Sequence, residues 1–229
     1  MKAIGGHPKI SVIVAAYNQE KFIGRCLRSL LHQTLAHDVY EVIVVNDGSS
    51  DLTAYALEQF SDNSDSPIRV VTNEINLGLP ASINRGISVA RGQYIVRVDA
   101  DDFVNANFIN FLYFFLETNQ HIDAVACDYL LVDDEEAVID RGDARNKPIA
   151  CGIMFRKEQL YDIGLYDESF RCHEERDLRI RFEQKYKLAF LGIPLYRYRR
   201  HENNLTNNIE DMEHHFTNLI AKHGKNIDS

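Results

Sequence analysis

Two rhythms of apolar and polar positions alternate along the chain. Residues 10–16 form an unbroken apolar run, ISVIVAA, and residues 40–46 carry a second, EVIVV. Such short runs, rich in β-branched residues and closed by polar turns, predict buried strands. Residues 68–72 and 94–98 repeat the signal. Between these runs the period lengthens. Phe22, Ile23, Cys26, Leu27, Leu30 and Leu31 fall on one face of a helix predicted over residues 19–32. A second helix is predicted after Ser49 or Ser50, either of which suits a cap, and a third over residues 80–90, with Pro80 in its first turn. Residues 62–67 and 73–79 read as loops. Strands alternating with helices predict a parallel sheet, and such sheets bind ligands at the carboxyl ends of their strands. Asn18, Asp47, Asn76 and Asp99 all fall at or just after those ends, so a polar rim is expected there.

The second half is less regular. A helix over residues 105–119 carries Phe108, Phe111, Tyr113, Phe114 and Phe115, an aromatic stripe that reads as core. Strands are expected over 124–132, 149–155, 188–191 and 195–199, and helices over 156–163, 174–186 and 208–222. The acidic stretch 133–147 reads as an exposed hairpin or a mobile loop. No repeat, linker or low-complexity tract divides the chain, so residues 1–229 are expected to form one α/β domain.

Composition adds limits. The chain has 229 residues, 45% of them hydrophobic and 26% charged, which is ordinary for a globular protein. Its 25 basic and 34 acidic residues leave a net charge of −9, which argues against a general nucleic-acid binder. A local basic cluster exists at Arg197, Arg199 and Arg200. No apolar run approaches the roughly 20 residues needed to span a bilayer, and residues 1–9 lack the apolar core of a secretory signal. Cys26, Cys127, Cys151 and Cys172 have no CxxC spacing and read as reduced thiols in a cytoplasmic protein.

The strand at 94–98 runs straight into Asp99, Ala100, Asp101 and Asp102. Crowded carboxylates repel one another unless a cation sits among them, and hard ions such as Mg²⁺ or Mn²⁺ take carboxylates together with substrate phosphates. Two readings stand: a metal–diphosphate site, or a polar turn capping the next helix.

ISVIVAAYNQEKFI, EVIVVNDGSSDLT, NEINLGLPASINRGISVARGQYIVRVDADD, ACGIMFRKEQLYDIGLYDESF and HEERDLRIRFEQKYKL occur in this order and span most of residues 9–206. With these stretches the chain resembles the family 2 glycosyltransferases, which have the GT-A fold and move a sugar from a nucleotide-sugar, usually with inversion. The resemblance implies a Rossmann-like, mostly parallel sheet flanked by helices, with a smaller mixed sheet on the acceptor side. It divides the chain into a nucleotide half at about 9–103, an acceptor half at about 104–206 and a C-terminal helix. It also assigns roles. Ala16 and Tyr17 would border the base, and Asp47 would read it, commonly as uracil. Asn84, Asp99 and Ala100 would lie along the nucleotide. Asp99, Asp101 and His201 would hold Mn²⁺ or Mg²⁺, with Arg199 and Arg200 toward phosphate. Glu175 would be the catalytic base where the family usually has Asp, with Glu174 and Asp177 as alternatives. The implied partners are a nucleotide-sugar donor, UDP-sugar favoured, and a carbohydrate or lipid-linked glycan acceptor. No nucleic acid is implied; contact with the inner face of a membrane, or a homodimer, is compatible with the pattern. The alternative is a nucleotide-sugar-binding partner subunit without catalysis, which the Glu at 175 keeps open.

Overall fold

The computed structural model describes residues 7–61, 66–202 and 209–224. Most of the loop expected at 62–67, the first residue of the expected terminal helix and the boundary at 206 lie outside the described residues.

Strands β1 (Ile10–Ala16), β2 (Tyr40–Asp47), β3 (Ile68–Asn73) and β4 (Tyr94–Arg97) pair in parallel in the order β3-β2-β1-β4. Their unbroken apolar runs follow from burial on both faces. Val12, Val14, Val42 and Val44 face helix α1 (Ile23–Leu31), Leu57 of α2 (Thr53–Ser61) and α4 (Phe108–Thr118). Ile13, Ile43 and Val45 point the other way, onto Ile83 and Ile87 of α3 (Leu79–Val89).

The sheet continues beyond β4. Strand β8 (Ile153–Arg156) runs antiparallel to both β4 and β6 (Ala124–Val132), and β6 lies parallel to β9 (Leu188–Arg199). The short β5 (Phe103–Val104) closes the far edge against β9. The architecture is therefore α/β with a mixed sheet flanked by helices. The mixed strands expected on the acceptor side continue the same sheet, which has nine strands among the described residues.

Other boundaries also differ. Residues 188–199 form one strand, not two. Pairing with β6 shifts register around Asp128, opposite Gly192 to Pro194, and then resumes, so the break in apolar pattern marks a bulge. Residues 103–104 are drawn into the sheet, and α4 starts at Phe108. The acidic stretch is a hairpin: β7 (Val138–Gly142) pairs with β6. Its turn is tethered by ion pairs from Lys21 to Asp134 at 2.7 Å and from Arg25 to Glu136 at 2.8 Å. All four cysteines are buried, and none is in a disulfide among the described residues. Among the described residues no helix is long and apolar enough to cross a membrane.

Candidate functional site

The rim at the carboxyl ends of β1 and β2 is built from interlocking turns. Ala16 is buried and Tyr17 exposed. Asn18 takes the left-handed conformation, φ 52°, which Asn tolerates. Its Oδ1 accepts the Ser50 N–H at 2.9 Å. Gly48 has φ 67°, and a Cβ there would lie 2.6 Å from the Ile75 carbonyl carbon, so the two loops approach closely only because no side chain intervenes. Asp47 is buried. It accepts Asn73 Nδ2 at 2.6 Å and the Leu77 and Gly78 N–H groups at 2.9 Å each, and so fixes the loop after β3. Asn84, on α3, donates to the Tyr166 carbonyl at 2.8 Å and accepts the Tyr166 N–H at 3.0 Å. Its amide clamps α3 to residues 163–168, which follow α5 (Lys157–Asp162). A groove of about 820 Å³ opens along that clamp, lined by Leu77, Ala81, Asn84, Tyr166 and Glu168; neither Asp99 nor Asp101 lines it.

The acids follow β4. Arg97, a charged residue within a buried strand, reaches both neighbours. Its Nε and Nη2 donate to Asp99 at 2.6 and 3.2 Å, and its Nη1 donates to Glu174 Oε1 at 2.9 Å. Burial opposes its charge, but Asp99, Cys151 and Glu174 together hold its pKa well above the ordinary value. Asp102 caps no helix. It is buried and accepts the Tyr196 hydroxyl and the Arg199 N–H, each at 2.7 Å. Burial, then repulsion from Asp101 and Asp99, pushes its carboxyl well above the usual range. Tyr196 in turn accepts the Asp99 N–H at 3.1 Å. Asp101 Oδ2 lies 2.9 Å from His201 Nε2.

Arg199 differs from expectation. It is buried between Phe22 and Phe103, donates to the Asp101 carbonyl at 2.9 Å, and reaches Asp134 O and Glu136 of the β6–β7 turn. Its charge is engaged in joining that turn to the acids rather than turned toward a phosphate. Arg200 is exposed beside Tyr198. The three residues expected to share an ion are divided: Asp101 and His201 meet, whereas Asp99 groups with Asp102 and Cys151, whose donor atoms lie within 4.8 Å of one another. Burial raises the Cys151 thiol well above its ordinary pKa.

The three base candidates share α6 (Glu174–Glu183), entered through His173 at φ 63°. Glu174 is buried against Arg97; burial, then repulsion from Glu175, raises its pKa to about 7, and Arg97 opposes the rise. Asp177 is fully buried and bound to Arg181 at 2.6 Å, with Lys222 and His223 of α7 (Ile209–His223) at 2.7 Å each. Glu175 is half-buried at the opening turn of the helix. Sequence reasoning overlooked Arg97, Tyr196 and the internal role of Arg199. The arginine inside YIVRVDA was the available signal for the first.

Residues 11–174 match the family model for glycosyl transferase family 2. An uncharacterized glycosyltransferase of Haemophilus influenzae is 39% identical over 191 residues, covering 80% of this chain and 57% of that protein. The Staphylococcus aureus TarS fragment 1–349 in complex with UDP-GlcNAc superposes with TM-score 0.75 at 22% identity, covering 93% of this chain and 66% of that one. The mannosyltransferase PcManGT of Pyrobaculum calidifontis, in complex with GDP-Man and Mn²⁺, gives TM-score 0.75 at 18% identity, covering 95% and 64%. The chain thus spans about three fifths of the length of these proteins, and the two structures share its fold. With the family match extending from β1 to the first residue of α6, the chain belongs to glycosyl transferase family 2.

Proposed function

We propose that this chain moves a sugar from a nucleotide-diphosphate sugar, preferably a UDP-sugar, to a hydroxyl of a carbohydrate or lipid-linked glycan, with inversion, in polysaccharide or glycolipid biosynthesis. The observation that carries the reading is the acid cluster at the carboxyl end of β4, with the opening turn of α6 tied to it through Arg97. Sheets of this kind bind ligands at that edge. The two solved neighbours, one with UDP-GlcNAc and one with GDP-Man and Mn²⁺, support a nucleotide-sugar donor. Asp47 Oδ2 accepts the Gly78 N–H and keeps acceptor capacity for the imide N–H of uracil.

The oxygen and imidazole donors of Asp101 and His201, 2.9 Å apart, fit Mn²⁺ or Mg²⁺, with Asp99 as a further carboxylate nearby in the chain. Bound there, the ion would neutralise charge on the departing diphosphate. Glu175 accepts the proton of the acceptor hydroxyl as that oxygen attacks the anomeric carbon and the bond to the diphosphate breaks. General-base assistance of this kind contributes about 10²–10⁴-fold. Glu175 is favoured because the carboxylates of Glu174 and Asp177 are already bound to cationic side chains.

Calorimetric titration of UDP and GDP, each with and without Mn²⁺, tests the proposal. Metal-dependent UDP binding followed by hydrolysis or transfer from a UDP-sugar supports it. Metal-dependent GDP binding would reassign the base. Binding without transfer to any acceptor would place the chain among nucleotide-sugar-binding partners, and no binding would overturn the reading.

A further inference from the structure

We infer that Arg97 and Glu174 form a positioning bridge that sets the reactive end of α6 against the diphosphate-side acids. This rests on the reading above. One guanidinium spends two donors on the carboxylate of Asp99 and a third on Glu174, the first residue of α6. Glu175 follows at once in the chain. Asp99 and Glu174 stand on elements 75 residues apart in sequence, and both partners of the Arg97–Glu174 contact are buried, with side chains only 6% and 5% exposed. A contact so enclosed has one geometry, because neither side chain can swing into solvent. Lysine in place of Arg97 would offer a single ammonium and could not fork between both carboxylates.

The surroundings suit this role. Tyr166, buried beside the guanidinium, is fixed through its backbone by Asn84. From the far side, Asp177 ties α6 to α7. The helix start is thus held from two directions, and Arg97 connects it to the acids. Glu174 acts through Arg97 and the backbone, and it is the neighbouring residue that meets the acceptor. Shifts on the order of 1 Å in such an arrangement cost about 10²-fold in rate.

The test compares Glu174→Ala, Glu174→Gln and Arg97→Lys with the wild-type chain. The readouts are UDP–Mn²⁺ affinity, kcat and KM for the UDP-sugar, and amide hydrogen exchange at Asp177 and Leu178. Glutamine keeps an oxygen to accept from Arg97 Nη1, so it should leave kcat and exchange close to wild type. Alanine should lower kcat by about 10²-fold and speed exchange at Asp177 and Leu178, with UDP–Mn²⁺ affinity little changed. Arg97→Lys should follow alanine in kcat and exchange, and it decides the matter if Glu174→Ala does not fold. Equal loss in the glutamine and alanine variants would make the Glu174 carboxylate chemically essential and overturn the bridge, as would unchanged kcat and exchange in all variants. If the wild-type chain transfers no sugar, the function reading falls, and the exchange difference between alanine and glutamine still decides the bridge.

Discussion

His201 Nε2 and Asp101 Oδ2 lie 2.9 Å apart although 100 residues of chain separate them. The contact brings the end of β9 onto the turn after β4 and presents an imidazole and a carboxylate together. Asp101→Ala should remove the Mn²⁺ enhancement of UDP binding and lower turnover by about 10²–10³-fold. His201→Ala should weaken Mn²⁺ by about 10–100-fold. Mn²⁺ titration of each variant in the presence of UDP reads both effects, and unchanged affinity in the two would remove the pair from the site.

The acids of α6 should separate cleanly by experiment. Glu175→Gln is expected to lower kcat by about 10²–10⁴-fold while leaving UDP binding and thermal stability near wild type. Asp177→Asn removes the shared partner of Arg181, Lys222 and His223 from a fully buried position. Breaking a buried pair by removing one partner costs about 3–5 kcal/mol, so this variant should lose stability first. Denaturant midpoints set beside kcat distinguish the two. Full activity in Glu175→Gln would take the base role from that residue.

Asp47 carries a structural duty as well as its proposed one. Asn in its place keeps one acceptor oxygen and turns an amide donor toward groups that are themselves donors: Asn73 Nδ2 and the Leu77 and Gly78 N–H groups. Leaving buried donors unsatisfied costs about 1–3 kcal/mol each. Asp47→Asn should therefore lower the denaturant midpoint and abolish UDP binding together. Lost binding at full stability would confine Asp47 to the ligand; full binding would remove it from the base site.

Glu174 gives a pH signature. Its pKa is raised from the ordinary 4.5 to about 7 in the folded chain, so between these values the folded state holds the extra proton. Its contribution to stability is therefore present at low pH, declines as pH rises from about 5 to about 7, and levels off above. Glutamine cannot ionise. Relative to wild type, Glu174→Gln should gain on the order of 3 kcal/mol between pH 5 and pH 8. Chemical denaturation at the two pH values measures this, and a gap that does not widen would show that Glu174 stays ionised throughout.

The parallel half of the fold was legible because its strands are buried on both faces, and composition alone then marks them. Val12 and Ile13 point to opposite cores, yet both must be apolar. The far half resisted. Gly192 to Pro194 break the apolar pattern, which concealed that Leu188 and Arg199 belong to one strand bridged by a bulge. The aspartates were conspicuous, but their individual duties were not. Asp102 has the composition of a cap, and only its meeting with Tyr196 reveals a buried anchor. Glu174, Glu175 and Asp177 sit within four positions on one helix, and spacing cannot tell which faces an arginine. Arg199 looked like a phosphate ligand because its partners come from distant elements that no local pattern joins to it.

Strand β9 has a consequence for how the protein comes into being. The residues that moor Asp102, Tyr196 and Arg199, follow it by 94 and 97 positions, and among the described residues β5 pairs with β9 alone. In synthesis the parallel strands and Asp47 precede β9, so they leave the ribosome before the partners of Asp102 exist. The surface proposed here for a nucleoside base is thus complete in the chain well before the one proposed for the diphosphate. The proposed diphosphate side is therefore completed only when β9 takes its place between β6 and β5.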